Sequence, residues 1–232
     1  MNATVRLRKS ESRERRSHLQ KQVTKDSEQR RAIPIRQLHL AELPADTIAL
    51  ARFLIGKIVV HDLPQGRLSG RIVESEAYPP GDPAGHHYRG PTQRNRSLFL
   101  RHGHCYVYFT YGNHFMFNVS SETADVGGGV LIRALEPLEG VAAMQRNRKT
   151  TGLLDLTRGP GRLAAAFGID RRYDGLDLCA PGPLWLGIMD SPGLRAPSIG
   201  KTVRIGITRA TRKLFRFYER GNPFVSGPKK LI

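Results

Sequence analysis

Cysteine is almost absent: Cys105 and Cys179 are the only two in 232 residues. Two cysteines make no disulfide framework, so a reducing, intracellular home is expected, cytoplasm and nucleoid in a bacterium or the nucleus in a eukaryote. No run of about 18 apolar residues occurs, which excludes a spanning helix. No apolar stretch follows Met1 either, so no secretory signal is expected. Acidic residues are scarce, with 20 Asp and Glu against 37 Lys and Arg, a formal charge of +17 and a pI near 10.6. Such a balance favours a polyanionic partner, and without a membrane segment nucleic acid leads a membrane surface. Metal-ligand spacings are missing as well. His86 and His87 lie near Asp82, and His102 and His104 flank Gly103 ahead of Cys105, but no Cys-x-x-Cys or His-Glu-x-x-His exists. No metal or other cofactor is therefore expected.

Apolar periodicity is missing from residues 1–36, which hold eleven Lys and Arg against four Asp and Glu. That composition predicts a basic, disordered N-terminal arm, used either for loose contact with phosphates or only as a solubilising tail. Glu11 and Glu14 argue against a transit peptide. The remainder, 37–232, reads as one domain large enough for a sizeable core.

Within it, Asp46 is a candidate N-cap for a helix over 47–54, stopped by Gly56. Residues 57–61 and 70–78 read as strands, followed by a Pro/Gly-rich loop over 79–91 and a basic segment over 94–101. Strands are predicted at 105–110, 114–120 and 129–135, then a helix from Glu136 to Lys149, acidic at its start and basic at its end. Gly159-Pro-Gly161 opens another helix. Shorter strands are predicted around 184–186, 203–207 and 215–218. Strands and helices do not alternate regularly, so the expected fold is a single mixed α/β (α+β) domain with a mainly antiparallel sheet.

Alternation along 70–78 places Glu74, Glu76 and Tyr78 on one strand face, with Val73, Ser75 and Ala77 on the other. The Glu/Tyr face then borders either solvent or a cleft, and in a cleft a carboxylate beside a tyrosine suits a general base holding a water. Gly112-Asn113 marks a turn. A three-residue loop, 111–113, pairs 110 with 114, 108 with 116 and 106 with 118. Tyr106, Tyr108, Met116 and Asn118 then share a face, and Tyr111 stands at the apex as a candidate wedge between bases. The plainer reading is a half-buried aromatic hairpin. Arg94, Arg96 and Arg101 read as solvated or phosphate-facing, and Arg162 after Gly159-Pro-Gly161 as a phosphate contact or an exposed turn residue.

Several segments together resemble a known family. They are Gly70-Arg-Ile-Val-Glu-Ser-Glu-Ala-Tyr78, Asp82-Pro-Ala-Gly-His86, Thr92-Gln-Arg-Asn95, Tyr106-Val-Tyr-Phe-Thr-Tyr-Gly112, Asn118-Val, Val130-Leu-Ile-Arg-Ala-Leu-Glu-Pro137, Gly159-Pro-Gly161 and Arg216-Phe-Tyr-Glu-Arg-Gly-Asn-Pro-Phe-Val-Ser226. In this order they resemble the alkyladenine (3-methyladenine) DNA glycosylases of the mammalian type, a family also found in bacteria. The resemblance implies a curved antiparallel sheet with a protruding hairpin. It implies that Glu76 is the catalytic base, and that Arg133 helps hold the attacking water with main chain near Ile207. By the same resemblance Tyr78, His86 and Tyr108 sandwich and hydrogen-bond a damaged purine, Asn118 disfavours the 2-amino group of guanine, and Tyr111 fills the gap left by the flipped base. The loop before the histidine is a residue shorter than the family pattern. Counting from Tyr78 would select His87, whereas aligning Asp-Pro-Ala-x-His selects His86.

No lysine occurs between Arg71 and Arg133, so a Schiff-base nucleophile is not available there and a water nucleophile is expected. The leading expectation is a monomeric, monofunctional base-excision-repair glycosylase acting on double-stranded DNA that carries alkylated or deaminated purines. The alternatives are a non-catalytic nucleic-acid-binding protein on the same scaffold and a His/Cys metal hydrolase.

Overall fold

The computed structural model describes residues 34–110, 112–189 and 196–228. The arm as far as residue 33, and Tyr111, lie outside the described residues. Nine described strands form one sheet: β1 (Ile35–Gln37), β2 (Ile58–Leu63), β3 (Gly66–Tyr78), β4 (Cys105–Thr110), β5 (His114–Ser120), β6 (Gly129–Glu139), β7 (Leu184–Met189), β8 (Ile199–Thr202) and β9 (Arg216–Glu219). Seven run in the order β1-β7-β2-β3-β6-β5-β4, and β8 joins through β9 to β3. Every pairing between these strands is antiparallel. With helices α1 (Thr47–Phe53), α2 (Val141–Arg148) and α3 (Pro160–Phe167), this is the mixed α/β architecture that the sequence predicts.

The axis of the sheet is β3. Its first half pairs with β2 and its second half with β9, while β6 runs along the other edge for nearly its whole length. Between β3 and β6 the register slips around Glu74: Ile72 faces Leu135, Glu74 faces Ala134 and Ser75 faces Ile132. Val73 on one strand and Arg133 on the other are thus left without an opposite number. Such bulges bend a sheet and re-aim side chains, and they gather beside functional sites.

The Val73/Ser75/Ala77 face of β3 packs on α1, with Ser75 Oγ donating to Ala51 O at 2.8 Å. It enters a core of Leu50, Ala51, Ile132, Ala134, Phe117, Leu163 and Phe167. A smaller cluster of Ile58, Val60, Leu138, Trp185 and Met189 covers the opposite face around β2 and β7. Asp46 caps α1 by accepting from Ala49 N at 2.7 Å. Asp46→Ala is expected to destabilise the fold by about 1 kcal/mol, read as a lower urea midpoint at unchanged m; an unchanged midpoint would remove the cap from the account.

Three segments differ from expectation. Ile35 and Arg36, at the end of the arm predicted over 1–36, lie in β1, paired with Met189 and Ile188 of β7. The helix predicted from Glu136 begins only at Val141, because β6 continues to Glu139 along its long partner β3. Pro137 is tolerated in that strand because it sits beside a bulge, where Gly70 faces Pro137 and Ser69 faces Glu139, a place that does not need its missing N–H. Glu136 is therefore no dipole partner of a helix start; its carboxylate takes Arg71 Nη2 at 2.5 Å. The strand predicted at 203–207 is irregular backbone. The ladder stops at Thr202 and Gly206 takes φ +78°, a left-handed conformation that ends an extended run. The hairpin register, in contrast, is the one predicted: 110 with 114, 108 with 116 and 106 with 118.

Candidate active site

Glu76 and Arg133 meet where β3 and β6 slip past one another. The face that carries Glu74, Glu76 and Tyr78 is neither solvent nor open cleft at its base, for Glu74 and Glu76 are both 0% exposed. Segment 203–209 and the stretch after β9 cover it. Arg133 connects the two carboxylates, with Nε 2.8 Å from Glu74 Oε1 and Nη1 3.3 Å from Glu76 Oε1. Glu74 is also held by Arg216 Nε at 2.7 Å and by Ser226 N at 2.6 Å and Oγ at 3.0 Å. Glu74 thus orients Arg133, and Arg133 presents its other end to Glu76.

Glu76 accepts the Ile205 N–H at 2.8 Å and the Tyr78 hydroxyl at 2.9 Å. Burial pushes its carboxyl above the usual carboxylate range, against the opposing pull of Arg133, the Ile205 amide and the Tyr78 hydroxyl. A carboxylate so placed is a stronger proton acceptor than one in water, which is what a general base needs. Burial and the neighbouring Glu76 charge hold the Tyr78 phenol protonated, its pKa pushed upward.

Above this pair opens a cavity of about 500 Å³. Tyr78, Ile205 and Arg133 line it, and each of the three is bonded to the buried Glu76. Its walls include Tyr106, Tyr108, Met116 and Asn118, the set predicted to share one hairpin face. The His86 ring stands edge-on to Tyr108 with centroids 4.4 Å apart, and its Nδ1 lies 2.9 Å from the Tyr106 hydroxyl oxygen. Burial first, then the positive charge of Arg94, lowers the His86 pKa, which favours a neutral imidazole. His87 also borders the cavity, but its ring is buried and its Nε2 is 2.9 Å from Pro79 O. His86 is therefore the histidine that builds the aromatic wall. Asn118 lends both of its Nδ2 hydrogens to backbone, Tyr106 O at 3.1 Å and Met116 O at 3.3 Å, which fixes its side chain in the wall. Ile207 also lines the cavity, within segment 205–209, while the amide that reaches Glu76 is that of Ile205.

The basic candidates behave differently from one another. Arg94 is exposed near the rim, 6.0 Å from the Tyr108 ring centroid, with Nη2 on Phe109 O at 3.3 Å. Arg96 is exposed on the short turn at 96–99. Arg162 pairs with Asp155 at 3.0 Å and Arg101 with Asp177 at 3.0 Å, so each already has a carboxylate. The His102/His104 pair lies away from the cavity, His104 Nδ1 being 3.0 Å from Arg101 O. Sequence reasoning missed Glu74 as the anchor of Arg133, along with Arg216, Ser226, Ile205 and Arg204. The one signal for Arg216 and Ser226 was their place in a family-like segment. The pairings themselves span 142 and 152 residues, a separation that no periodicity reveals.

A buried, arginine-held carboxylate beside a cavity lined by tyrosine, histidine and asparagine is suited to hydrolysis at a planar base, the chemistry of a hydrolase of N-glycosyl bonds. The model of the methylpurine-DNA glycosylase (MPG) family matches residues 41–223, and the chain belongs to that family. It is 61% identical over 191 residues to a protein of Mesorhizobium japonicum, covering 82% of this chain and 90% of that one. It is 50% identical over 200 residues to a protein of Paraburkholderia phytofirmans, covering 86% and 92%, and 44% identical over 186 residues to one of Chlorobaculum tepidum, covering 78% and 86%. All three relatives are named as candidate 3-methyladenine DNA glycosylases.

Proposed function

We propose that this enzyme extrudes alkylated purines, and deaminated purines such as hypoxanthine, from duplex DNA and hydrolyses their glycosidic bond with a water activated by Glu76. The observation that carries this reading is Glu76 itself, buried at 0% exposure and held by Arg133, Ile205 N and Tyr78 directly under the aromatic slot. Water reaches it from the cavity beside Arg133. The oxygen of that water bonds to C1′ as the C1′–N9 bond breaks, Glu76 takes its proton, and the purine departs with the bonding electrons. A 3- or 7-alkylated purine is cationic in the nucleotide and leaves as a neutral base without an acid, whereas hypoxanthine is neutral in the nucleotide, departs as the anion and takes its proton from solvent water. Chemistry on a base requires extrusion from the stack, and a damaged or mispaired base is the least costly to extrude. Stacking on Tyr78 and Tyr108 favours an electron-poor ring, and the fixed Asn118 amide narrows the slot against a 2-amino group. Arg94 and Arg96 are proposed as backbone contacts. Arg162 joins them only if phosphate displaces Asp155. Tyr111, next in sequence to the hairpin strands, is proposed to fill the gap left by the base.

Without a lysine between Arg71 and Arg133, hydrolysis should stop at the abasic site. Incubation with duplexes carrying a single hypoxanthine or a single alkylated adenine, chelator present, is expected to release free base and leave each strand intact until alkali is added. Strand breakage without alkali would replace water with a protein nucleophile. Tight duplex binding with no release from either substrate would leave a binding protein on this scaffold.

A further inference from the structure

Arg204 is a cation with no surface of its own; its side chain is fully buried. Nη1 is bonded to Asp82 Oδ2 and, at 2.9 Å, to Ala77 O. The guanidinium lies over the Tyr78 ring, 4.6 Å from its centroid, and 5.3 Å from that of Phe215. Among the described residues Nε and Nη2 have no acceptor. A buried charge with donors left over is a poor stabilising device, since its desolvation is only partly offset. Its neighbours point to another use. Tyr78 and Ile205, which adjoin it in space and in sequence respectively, are two of the groups that hold Glu76. Asp82 opens the loop that carries His86 into the slot.

We propose that Arg204 is a positioning residue of the glycosylase site, clamping segment 203–209 and the Asp82–His86 loop to the end of β3 and thereby fixing the Tyr78 ring and the Ile205 amide that orient Glu76. The proposal rests on the reading of Glu76 as the base. Arginine suits the task because Nη1 bonds Asp82 and Ala77 O while the flat guanidinium stacks on a ring; a lysine ammonium is a point charge that does not stack in this way. The charged and titratable groups around Glu76 are Arg133 from β6, Glu74 and Tyr78 from β3, Arg216 from β9, and Arg204 from 203–209. Since the Tyr78 hydroxyl and Ile205 amide both hold the Glu76 pKa down against burial, loosening them raises it and moves the acid limb of the rate profile to higher pH.

The test is single-turnover base release from a hypoxanthine duplex across pH, with affinity for a duplex carrying a reduced abasic site measured alongside. Arg204→Lys is expected to slow release at least about tenfold, as a small misplacement of catalytic groups does, with duplex affinity within about twofold and the acid limb shifted upward. Should that variant not fold, Asp82→Asn loosens the same clamp with a neutral isostere and is expected to move the limb in the same direction. Release within about twofold of wild type, or slower release with an unmoved limb, shows a merely structural residue and overturns the proposal. Wild-type and Glu76→Gln proteins run in parallel separate the two readings. Absent release from wild type, both here and on a duplex carrying an alkylated adenine, removes the base assignment and this inference together, whereas normal wild-type release beside an unaffected Arg204→Lys removes this inference alone.

Discussion

Glu76→Gln is expected to reduce base release about a hundred- to ten-thousandfold, the range for loss of a positioned general base, while affinity for a damaged duplex stays within a few-fold. Glutamine keeps the shape and an oxygen to accept the Ile205 amide, but it does not take a proton from water at neutral pH. The sign of the wild-type pH dependence follows from burial. The Glu76 carboxyl is raised above the ordinary carboxylate range, and only the ionised form acts as a base. Wild-type kcat/KM should therefore fall as pH drops through that raised value, at a pH higher than an exposed glutamate would give. The residual rate of the glutamine variant should lack this limb. Retained turnover in that variant, with the limb in place, would remove Glu76 from its role and leave another group to be found.

Glu74→Gln should produce the largest loss of stability among single changes near the site. Its carboxylate is 0% exposed and is the counter-charge for Arg133 at 2.8 Å and Arg216 at 2.7 Å, with Ser226 N at 2.6 Å. Removing one partner of a buried ion cluster leaves charge unmatched in a low dielectric, an effect of about 3–5 kcal/mol. Replacing Asp155, whose exposed partner is Arg162 at 3.0 Å, should change stability by less than about 1 kcal/mol, because surface pairs are screened. Denaturant titration of both variants measures the difference. A Glu74→Gln midpoint close to that of Asp155→Asn would mean that the cluster is solvated and does not anchor Arg133. If the anchoring holds, Glu74→Gln also slows base release, since Arg133 loses its Nε contact and turns less reliably toward Glu76.

Much of the slot was legible because it depends on local rules. Side chains alternate along a strand, so Glu76 and Tyr78 had to share a face, and Tyr78 does donate to Glu76. Loop length fixes hairpin register, so the shared face of Tyr106, Tyr108, Met116 and Asn118 followed from counting, and these residues line one cavity. The helix misread at Glu136 shows where local rules end. Glu-Pro resembles a helix start, but a long partner strand with a bulge held the segment extended to Glu139. Val203 to Ile207 alternates like a strand, yet its backbone turns out of the ladder and gives its Ile205 amide to Glu76.

The sequence by itself determined the charge, the antiparallel hairpin and its register, the capped first helix, and the residue types of the aromatic slot, since each follows from composition or from neighbours a few positions apart. Only the tertiary structure decided that Glu74 and Glu76 are buried rather than exposed, that Arg133 spans both, that Arg216 and Ser226 hold Glu74, and that Arg204 stacks on Tyr78. These pairings join residues more than about fifty positions apart, and whether a carboxylate is a solvated charge or a base with a raised pKa depends on which distant groups exclude water from it.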